Sequence, residues 1–438
     1  MSVVPDATDL LAVFMDDVHI GSLYNRAQLS FSYDIAWLDN PEAKPLDPEI
    51  PLQTGEIASP YVHAFFENLL PEGDQRRIIG LRHHVSTIFG LLAAVGGDTA
   101  GSIVLLPSGQ TPQPPLYRLM DWNQIDKLIH GGGNNADAAE QTGEEPDDPT
   151  KPRLSISGAQ YKLLISLNQF GMPLLPMGAS PSTHILKPDI VRSDINIFAS
   201  AVNETIVMRA SHICELPTAN VCYQSEVKAC LVERYDRRKL AGGTLQRLWQ
   251  ADLCQLAGKP SDVKYEADGG PSFKDCFDLL SAHTVRPAID QRNLLRWLFF
   301  NLYVGNNDSH AKNLSIINTD EGLRLAPFYD LMSTRVYSGL APHFAFRIGG
   351  EFVPGKIEKS HLESLANSLG VKPAYLMKIA NDMGEKVERA IPIAIQEMMP
   401  HLVPAEKIIA ERIGLKITHI VQKMRSRLLP SGESDVHK

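Results

Sequence analysis

Alternation of apolar and polar positions at the start of the chain predicts β-strands. Two apolar runs, residues 10–15 and 18–23, are joined by a pair of aspartates, which is typical of a short hairpin. Residues 28–38 alternate apolar and polar side chains and predict a third strand. Residues 41–60 are rich in proline, so we expect a loop there.

Helical periodicity replaces this alternation further along the chain. Residues 61–70 predict one helix, and Pro71 predicts the first turn of a second helix, where proline is tolerated. Residues 203–214 predict an amphipathic helix with one apolar face. Helical patterns continue through residues 245–300 and again from residue 356.

A polar loop between two apolar segments is the feature around which the rest of the chain is organised. The loop holds Asp308, His310, Lys312 and Asn313, and a later carboxylate, Asp330, follows the second apolar segment. Two short strands would carry these groups to the same side of a domain.

The spacing in this loop indicates phosphoryl transfer from a nucleotide. Asp308 and Asn313 stand five positions apart, as do the base and the metal-binding amide in the catalytic loop of protein kinases. Asp330 would supply the second carboxylate that holds magnesium against the phosphates. An ordinary turn is the alternative, because Asn, Asp and Ser side chains bond to their own backbone in many loops.

Two upstream features would complete a nucleotide site. Ser157, Gly158, Ala159 and Gln160 form a small-residue turn whose backbone N–H groups could approach an anion, although an ordinary hairpin has the same pattern. Lys187 ends an apolar strand, where it could neutralise phosphates as a kinase lysine does. A lysine at an exposed strand end is the alternative.

Three further stretches are less specific. Residues 232–238 would suit a hinge that offers backbone groups to an adenine edge while Tyr235 covers its face, but any charged loop looks similar. Glu204, near a helix start, would pair with Lys187 or act as a favourable first-turn acid. Residues 95–104 are rich in glycine but lack the lysine of a phosphate loop, which predicts a tight turn into a strand.

Composition narrows the classes of protein that these motifs allow. A length of 438 residues suggests about two to four compact units. A formal net charge of −9 gives no general affinity for nucleic acid, and five cysteines without a Cys-x-x-Cys pair indicate neither a disulfide framework nor a zinc site. We expect a cytoplasmic protein without membrane spans, because no signal-peptide pattern or long apolar segment is present. Residues 130–150 have few apolar side chains and predict a flexible acidic linker.

Together, these motifs resemble those of the HipA family of bacterial serine/threonine protein kinases, the toxin half of toxin–antitoxin pairs. Five motifs stand in the family's order, and the likeness extends to the strand-rich N-terminal region. They are Leu-Ser-Ile-Ser-Gly-Ala-Gln-Tyr-Lys at 154–162, His-Ile-Leu-Lys at 184–187, Val-Glu-Arg-Tyr-Asp-Arg at 232–237, Asn-Asp-Ser-His-Ala-Lys-Asn at 307–313 and Pro-Phe-Tyr-Asp at 327–330.

The resemblance implies a role for each motif. Asp308 would be the general base, and Asn313 and Asp330 would bind Mg²⁺. Ser155 would be autophosphorylated, and its new negative charge would oppose the binding of ATP. The residues implied to line the ATP site are Ser157, Gly158, Ala159, Gln160, Tyr161, Lys162, Lys187, Glu233, Arg234, Tyr235, His310, Ala311, Lys312, Asn313, Tyr329 and Asp330.

The family's fold is a two-lobed, kinase-like α+β fold with an N-terminal β-rich subdomain and a mainly helical C-terminal lobe. We therefore expect the β-rich subdomain at residues 1–129 and the acidic linker at 130–150. A nucleotide-binding core would follow at 151–238, and the helical lobe with the catalytic loop would occupy 239–438.

The implied function is an ATP- and Mg²⁺-dependent kinase toxin that phosphorylates a translation-related protein, such as an aminoacyl-tRNA synthetase. Its partners would be a small HipB-like helix-turn-helix antitoxin and, mainly through that antitoxin, operator DNA, which would place the complex at the nucleoid. One alternative is a transcriptional co-repressor whose kinase activity is dispensable. Another is a small-molecule phosphotransferase of the aminoglycoside type, which shares the arrangement of base, amide and acid.

Overall fold

The structure is a computed structural model that describes residues 9–130, 160–192 and 194–428. Ser155, Ser157, Gly158 and Ala159 lie outside the described residues, as does nearly all of the acidic stretch. The chain divides into two compact units, and each is interrupted in sequence by the other. The first unit comprises Met1–Pro188, Glu226–Asp262 and Ser315–Leu323, and the second comprises Asp189–Ser225, Val263–Leu314 and Arg324–Lys438.

The strands are mostly short. They are β1 Leu10–Met15, β2 Val18–Tyr24, β3 Ser30–Tyr33, β4 Glu56–Ala58, β5 Ile103–Pro107, β6 Leu116–Leu119, β7 Leu163–Leu167, β8 Pro173–Met177, β9 His184–Pro188, β10 Val221–Gln224, β11 Ala229–Glu233, β12 Arg237–Lys239, β13 Leu245–Arg247, β14 Gln250–Asp252, β15 Ser315–Thr319 and β16 Gly322–Leu325.

The longest helices lie near the end of the chain. The helices are α1 Ile35–Leu38, α2 Pro60–Glu67, α3 Gly73–Arg82, α4 Ile88–Val95, α5 Trp122–His130, α6 Ser200–Ile213, α7 Leu253–Leu256, α8 Phe273–His283, α9 Pro287–Val304, α10 Lys359–Ser368, α11 Pro373–Met398 and α12 Pro404–Leu428. None of these described helices has the length and apolar character needed to cross a membrane.

The first unit begins with a five-stranded sheet in the order β4-β3-β2-β1-β5. The predicted hairpin is confirmed, since β1 and β2 are antiparallel and Asp16 turns the chain with a φ of 55°. The predicted third strand is too long: β3 ends at Tyr33 because the Asp34 side chain accepts a hydrogen bond from the Ala36 N–H and starts α1.

The helices that follow this sheet also refine the prediction. The Ser59 side chain accepts from the Val62 N–H and starts α2, which ends at Glu67. The second predicted helix exists, but Pro71 is not in its first turn because α3 begins at Gly73. The glycine-rich stretch after α4 turns into β5, as predicted.

A second sheet of the first unit contains strands in the order β11-β9-β7-β8-β6. Its buried side chains include Ile165, Leu186 and Leu231 from the strands and Trp122 and Ile125 from α5. The sequence pattern missed α5, although its apolar residues at helical spacing are buried on one face. Strand β9 ends at Lys187 and Pro188 in this apolar setting.

The second unit is mainly helical. Helix α11 packs against α6, α9, α10 and α12, so its apolar positions form the centre of the unit. The predicted helix at 203–214 is confirmed as α6, but it is buried along most of its length rather than on one face. Helix α9 is buried over its last three turns and leads directly into the polar loop. The α+β class is therefore confirmed.

Candidate active site

A glycine ends α9 and starts the polar loop. Gly305 has a φ of 74°, and a Cβ there would lie 2.8 Å from the Ile420 Cδ1 atom, so only glycine suits both the conformation and the space. The Gly305 carbonyl accepts from the Arg335 N–H at 3.0 Å and from the Thr334 hydroxyl at 3.2 Å. These bonds hold the loop against the segment that follows Asp330.

Two buried asparagines, which the sequence analysis did not single out, fix the loop internally. The Asn306 amide donates to the Asn301 Oδ1 at 2.8 Å, and its own Oδ1 accepts from the Asp308 N–H at 3.2 Å. The Asn307 N–H donates to the Thr334 hydroxyl at 2.8 Å. The sequence signal for this role was their position immediately before Asp308. Buried amides must find hydrogen-bond partners, which asparagines at this position find within the loop and its surroundings.

Asp308 is exposed, and a tyrosine outside the loop and an asparagine within it each make a hydrogen bond to it. The Tyr265 hydroxyl donates to the Asp308 Oδ1 at 2.5 Å. The Asn313 side-chain amide donates to the Asp308 backbone carbonyl at 3.0 Å, which joins the predicted base to the predicted metal ligand within one turn. The five-residue spacing therefore closes a compact polar loop.

Asp330 lies beside this loop in the same unit. The Tyr329 hydroxyl donates to the Lys312 carbonyl at 2.9 Å. The preceding residue is anchored on its other side, because the Phe328 N–H donates to Pro217 and the Phe328 carbonyl accepts from Ala219. The segment that carries the second carboxylate is thus tied to the loop that carries the first.

The backbone of Asp330 is unusual. Its φ of 57° lies in the left-handed region, which a non-glycine residue adopts at a cost of about 1–2 kcal/mol. Aspartate is among the residues that accept this conformation most readily. Strained residues of this kind are concentrated at functional sites, where the surrounding structure holds them in place.

His310 is buried in the loop with an exposed fraction of 4%. Burial, reinforced by the nearby charge of Lys264, lowers the pKa of His310 well below its usual value despite the opposing effect of Asp330. The imidazole is therefore neutral near pH 7. Its Nδ1 atom is buried and has no hydrogen-bond partner among the residues that the structure describes.

The polar groups of this loop fit a magnesium nucleotide. Asn313 and Asp330 offer an amide and a carboxylate oxygen, the type of donor that Mg²⁺ takes when phosphates complete its coordination. The Asn313 N–H₂ group is committed to the Asp308 carbonyl, so the amide oxygen points away from that bond. The buried Nδ1 of His310 provides a further polar atom at this position.

The candidate nucleotide-binding residues that precede the polar loop in the sequence lie in the first unit. Lys187 is buried, with an exposed fraction of 4%, so the alternative of an exposed strand end is wrong. On the neighbouring strand β11, Cys230 is opposite Lys187 and Glu233 is opposite His184. Lys187 and the first two residues of the predicted hinge therefore belong to adjacent strands of one sheet. Pairing of Lys187 with Glu204, which belongs to the second unit, stays a prediction.

The described part of the predicted phosphate loop is close to Lys187. The Gln160 side chain donates to the Pro188 carbonyl at 2.9 Å, next to the end of β9. Tyr161 donates to the Leu128 carbonyl at 3.4 Å, and Lys162 leads directly into β7. The roles of these residues towards ATP stay predictions.

Arg234 has a structural position that the sequence did not suggest. Its guanidinium is buried and donates to Asp236, to Asp98 and to the Thr99 carbonyl. Burial raises the pKa of Asp236, but the charges of Arg234 and Arg237 reverse this effect and hold the pKa below its usual range. The backbone of Arg234 lies within the predicted hinge, and its N–H donates to the Thr183 carbonyl at 2.9 Å.

Comparisons with known proteins show which family the chain is similar to. Residues 11–106 match the model of the HipA N-terminal domain, and residues 154–391 match that of the HipA-like C-terminal domain. A putative kinase Y4mE from Sinorhizobium fredii is 35% identical over 381 residues, covering 84% of this chain and 87% of the relative. The serine/threonine-protein kinase toxin HipA from Shewanella oneidensis is 31% identical over 388 residues, covering 83% of each chain.

A solved structure is similar over nearly the whole chain. It is titled as the toxin–antitoxin system HipA, HipB and its operator DNA complex from Shewanella oneidensis MR-1. The TM-score is 0.78 at 27% identity, and the match covers 95% of this chain and 97% of the solved one. The family-model matches, the two relatives and this structural likeness together show that the chain belongs to the HipA family of kinases.

Proposed function

We propose that this chain is an ATP- and Mg²⁺-dependent serine/threonine protein kinase that acts as the toxin of a toxin–antitoxin system. The observation that carries the proposal is the joining of Asp308, Asn313 and Asp330 by the loop contacts described above. A base, an amide and a second carboxylate are the parts that phosphoryl transfer requires from the protein. The target is a translation-related protein, such as an aminoacyl-tRNA synthetase.

In the proposed reaction, Asp308 accepts the proton of a serine or threonine hydroxyl while that oxygen forms a bond to the γ-phosphorus of ATP. The bond between the γ-phosphorus and the bridging oxygen breaks, and ADP leaves with the electron pair. Magnesium, when bound, neutralises charge on the phosphates. Asn313 and Asp330 would hold that ion, and the neutral His310 would lie beside the nucleotide.

The residues of the first unit that the family motifs assign to the nucleotide have the following proposed roles. Lys187 would contact the phosphates, as the lysine of strand β3 does in protein kinases. Residues 157–162 would surround the phosphates with backbone N–H groups, and Glu233 and Tyr235 would meet the adenine. Autophosphorylation of Ser155 would add negative charge next to this loop and reduce ATP binding.

The proposed partner is a small HipB-like antitoxin with a helix-turn-helix domain. Support comes from the solved HipA of Shewanella oneidensis, which is titled as a complex with HipB and operator DNA. With a net charge of −9, this chain would reach DNA mainly through the basic antitoxin. A co-repressor role with dispensable kinase activity is the second candidate, and the same complex favours it.

The test compares proteins phosphorylated in cells that express the wild type, Asp308→Ala or Asp330→Asn. Asp320→Asn, an exposed carboxylate in a surface ion pair with Arg238, serves as the matched control. We expect new phosphoserine and phosphothreonine sites and slowed growth with the wild type and the control only. Equal phosphorylation by the Asp308 and Asp330 variants would contradict the kinase mechanism.

A gel shift separates the two candidate roles. Operator DNA is mixed with the proposed small antitoxin and with either the wild-type chain or Asp308→Ala. If co-repression is independent of phosphoryl transfer, both chains should lower the gel mobility of the antitoxin–DNA complex. Growth arrest that persists in Asp308→Ala would favour the co-repressor and argue against the toxin kinase.

A further inference from the structure

We propose that Tyr265 is a positioning residue that orients the carboxylate of Asp308 for proton transfer. The inference rests on the proposed function, because it assigns a task to Tyr265 only if Asp308 is the base. Tyr265 lies 43 positions before Asp308 and outside every kinase-like motif of the chain. Its role therefore comes from the three-dimensional structure alone.

The hydroxyl of Tyr265 contacts one of the two carboxylate oxygens. It donates to the Asp308 Oδ1 at 2.5 Å, which restricts rotation of the carboxylate and directs Oδ2 away from the tyrosine. The Asp308 side chain is exposed, and its backbone is fixed by the amides of Asn306 and Asn313. Backbone and side chain are thus held by different partners.

The tyrosine ring is itself held in place. It packs edge-on against the buried His310 ring, with centroids 5.0 Å apart and an angle of 85° between the planes. The Lys264 Nζ atom lies 5.5 Å from the ring centroid. A ring fixed by such contacts can hold a partner in one orientation, which a freely rotating side chain cannot do.

The backbone around Tyr265 is also rigid. Its carbonyl accepts from the N–H groups of Asp268 and Gly270 at 3.0 and 2.9 Å. A Cβ on Gly270 would lie 2.1 Å from the Val263 carbonyl oxygen, so this tight turn requires glycine. The neighbouring Glu266 accepts from the Arg347 N–H at 2.8 Å. These contacts fix the position of the Tyr265 backbone and so help to fix the position of its hydroxyl.

This arrangement has a chemical consequence for the base. With Oδ1 held by Tyr265, Oδ2 is the oxygen that accepts the proton of the substrate hydroxyl, while the tyrosine keeps its own proton. Loss of the Tyr265 hydroxyl should therefore slow phosphoryl transfer while the base itself stays in place.

Tyr265→Phe tests the proposal, because phenylalanine keeps the ring and removes only the hydroxyl. Tyr303→Phe is the matched control, since Tyr303 also loses one hydrogen bond, to the Ala380 carbonyl at 2.9 Å in the helical core. Asp308→Ala marks the rate without a base. Each variant is incubated with Mg²⁺ and γ-labelled ATP, and transfer to the chain itself and to casein is measured from pH 5 to pH 9.

We expect Tyr265→Phe to lower kcat by about 10- to 100-fold, the loss usual for a hydrogen bond to a charged group. Its KM for ATP should stay close to the wild-type value, because the proposed task of Tyr265 concerns proton transfer and not nucleotide binding. Tyr303→Phe should lower Tm and leave kcat close to the wild-type value. The Tm of Tyr265→Phe shows whether this variant folds as the wild type does.

Three results would overturn the inference. An unchanged kcat in Tyr265→Phe would show that the hydroxyl does not orient the base. A faster variant would mean that the tyrosine occupies the place of the substrate hydroxyl and blocks it. If the wild-type chain transfers no more phosphate than Asp308→Ala, the proposed function is contradicted, and the inference is contradicted with it.

Discussion

The Tyr329 hydroxyl donates a hydrogen bond to the backbone carbonyl of Lys312 at 2.9 Å. This single contact joins two segments that are 17 residues apart, one carrying Asn313 and the other carrying Asp330. If both residues hold the same magnesium ion, their separation must be fixed to within a few tenths of an ångström. Tyr329 is well placed to fix it.

Tyr329→Phe should therefore weaken magnesium binding without removing a ligand. Loss of the hydrogen bond costs about 1 kcal/mol, so we expect the Mg²⁺ concentration for half-maximal activity to rise about five-fold. The measurement is a titration of phosphoryl transfer with Mg²⁺ at saturating ATP. Tyr375→Phe, on an exposed part of α11, should behave as the wild type. Equal Mg²⁺ dependence in both variants would contradict this reading of the contact.

The left-handed backbone of Asp330 leads to a second prediction. Asp330→Gly and Asp330→Ala both remove the carboxylate, and both should lower phosphoryl transfer by roughly 100-fold or more. They differ in the backbone, because glycine adopts a φ of 57° freely and alanine does not. The alanine variant should therefore be less stable than the glycine variant by about 1 kcal/mol.

Thermal unfolding of the two variants separates the two effects. The glycine variant should match or exceed the Tm of the wild type while lacking activity. An alanine variant with the higher Tm of the two would show that the strain at Asp330 is not a property of the folded protein. Asp330→Asn provides a further comparison, because asparagine also accepts the left-handed region.

The sequence predicted the parts of the site that lie close together in the chain. The spacing of Asp308 and Asn313 was readable because both residues belong to one loop, where spacing and geometry are nearly equivalent. Tyr265 was missed because it reaches the loop from a distant turn, and no periodic pattern marks such a contact. The length of β3 was overestimated because the cap at Asp34, a local hydrogen bond, overrides the alternation of residues 34–38.

Burial explains another limit of the sequence. The family resemblance implied that Arg234 belongs to the hinge of the nucleotide site, and that role stays a prediction. Its side chain belongs to a buried cluster in which Asp98 and Asp236 lie among Arg234, Arg237 and Arg247. The acidic partner Asp98 is more than 130 residues away, so the sequence alone could not reveal the pair.

This cluster gives a third prediction. Asp236 accepts from the Gly101 N–H at 2.7 Å and from Arg234 at 2.8 Å, so Asp236→Asn removes one of the two buried carboxylates that balance Arg234 and Arg237. The free energy of unfolding should fall by about 3–5 kcal/mol. Asp320→Asn breaks an exposed pair with Arg238 of similar length and should cost less than about 1 kcal/mol. Denaturant unfolding of both variants measures the difference, and similar losses would mean that burial adds little here.

The fourth prediction concerns pH. Asp47 is buried with an exposed fraction of 1%; its Oδ1 accepts from the Glu49 N–H at 2.9 Å, while its Oδ2 has no partner among the residues described. Burial raises the pKa of Asp47 from 3.8 to about 7, and the charges of Glu49 and Asp252 add to this effect. The unfolded chain thus loses this proton near pH 4, whereas the folded protein keeps it to near pH 7.

Between these two pH values the folded state binds more protons than the unfolded state, so the contribution of Asp47 to stability falls as the pH rises and is lost above pH 7. The asparagine of Asp47→Asn cannot ionise, so this variant should be more stable than the wild type at pH 8. Between pH 4 and pH 8, its free energy of unfolding relative to the wild type should rise by an amount on the order of 4 kcal/mol. Denaturant unfolding of both proteins across this range measures the effect. Asp39→Asn, which removes an exposed carboxylate of the same sheet region, should follow the wild type at every pH. A constant difference between Asp47→Asn and wild type from pH 4 to pH 8 would show that Asp47 is ionised in the folded protein throughout.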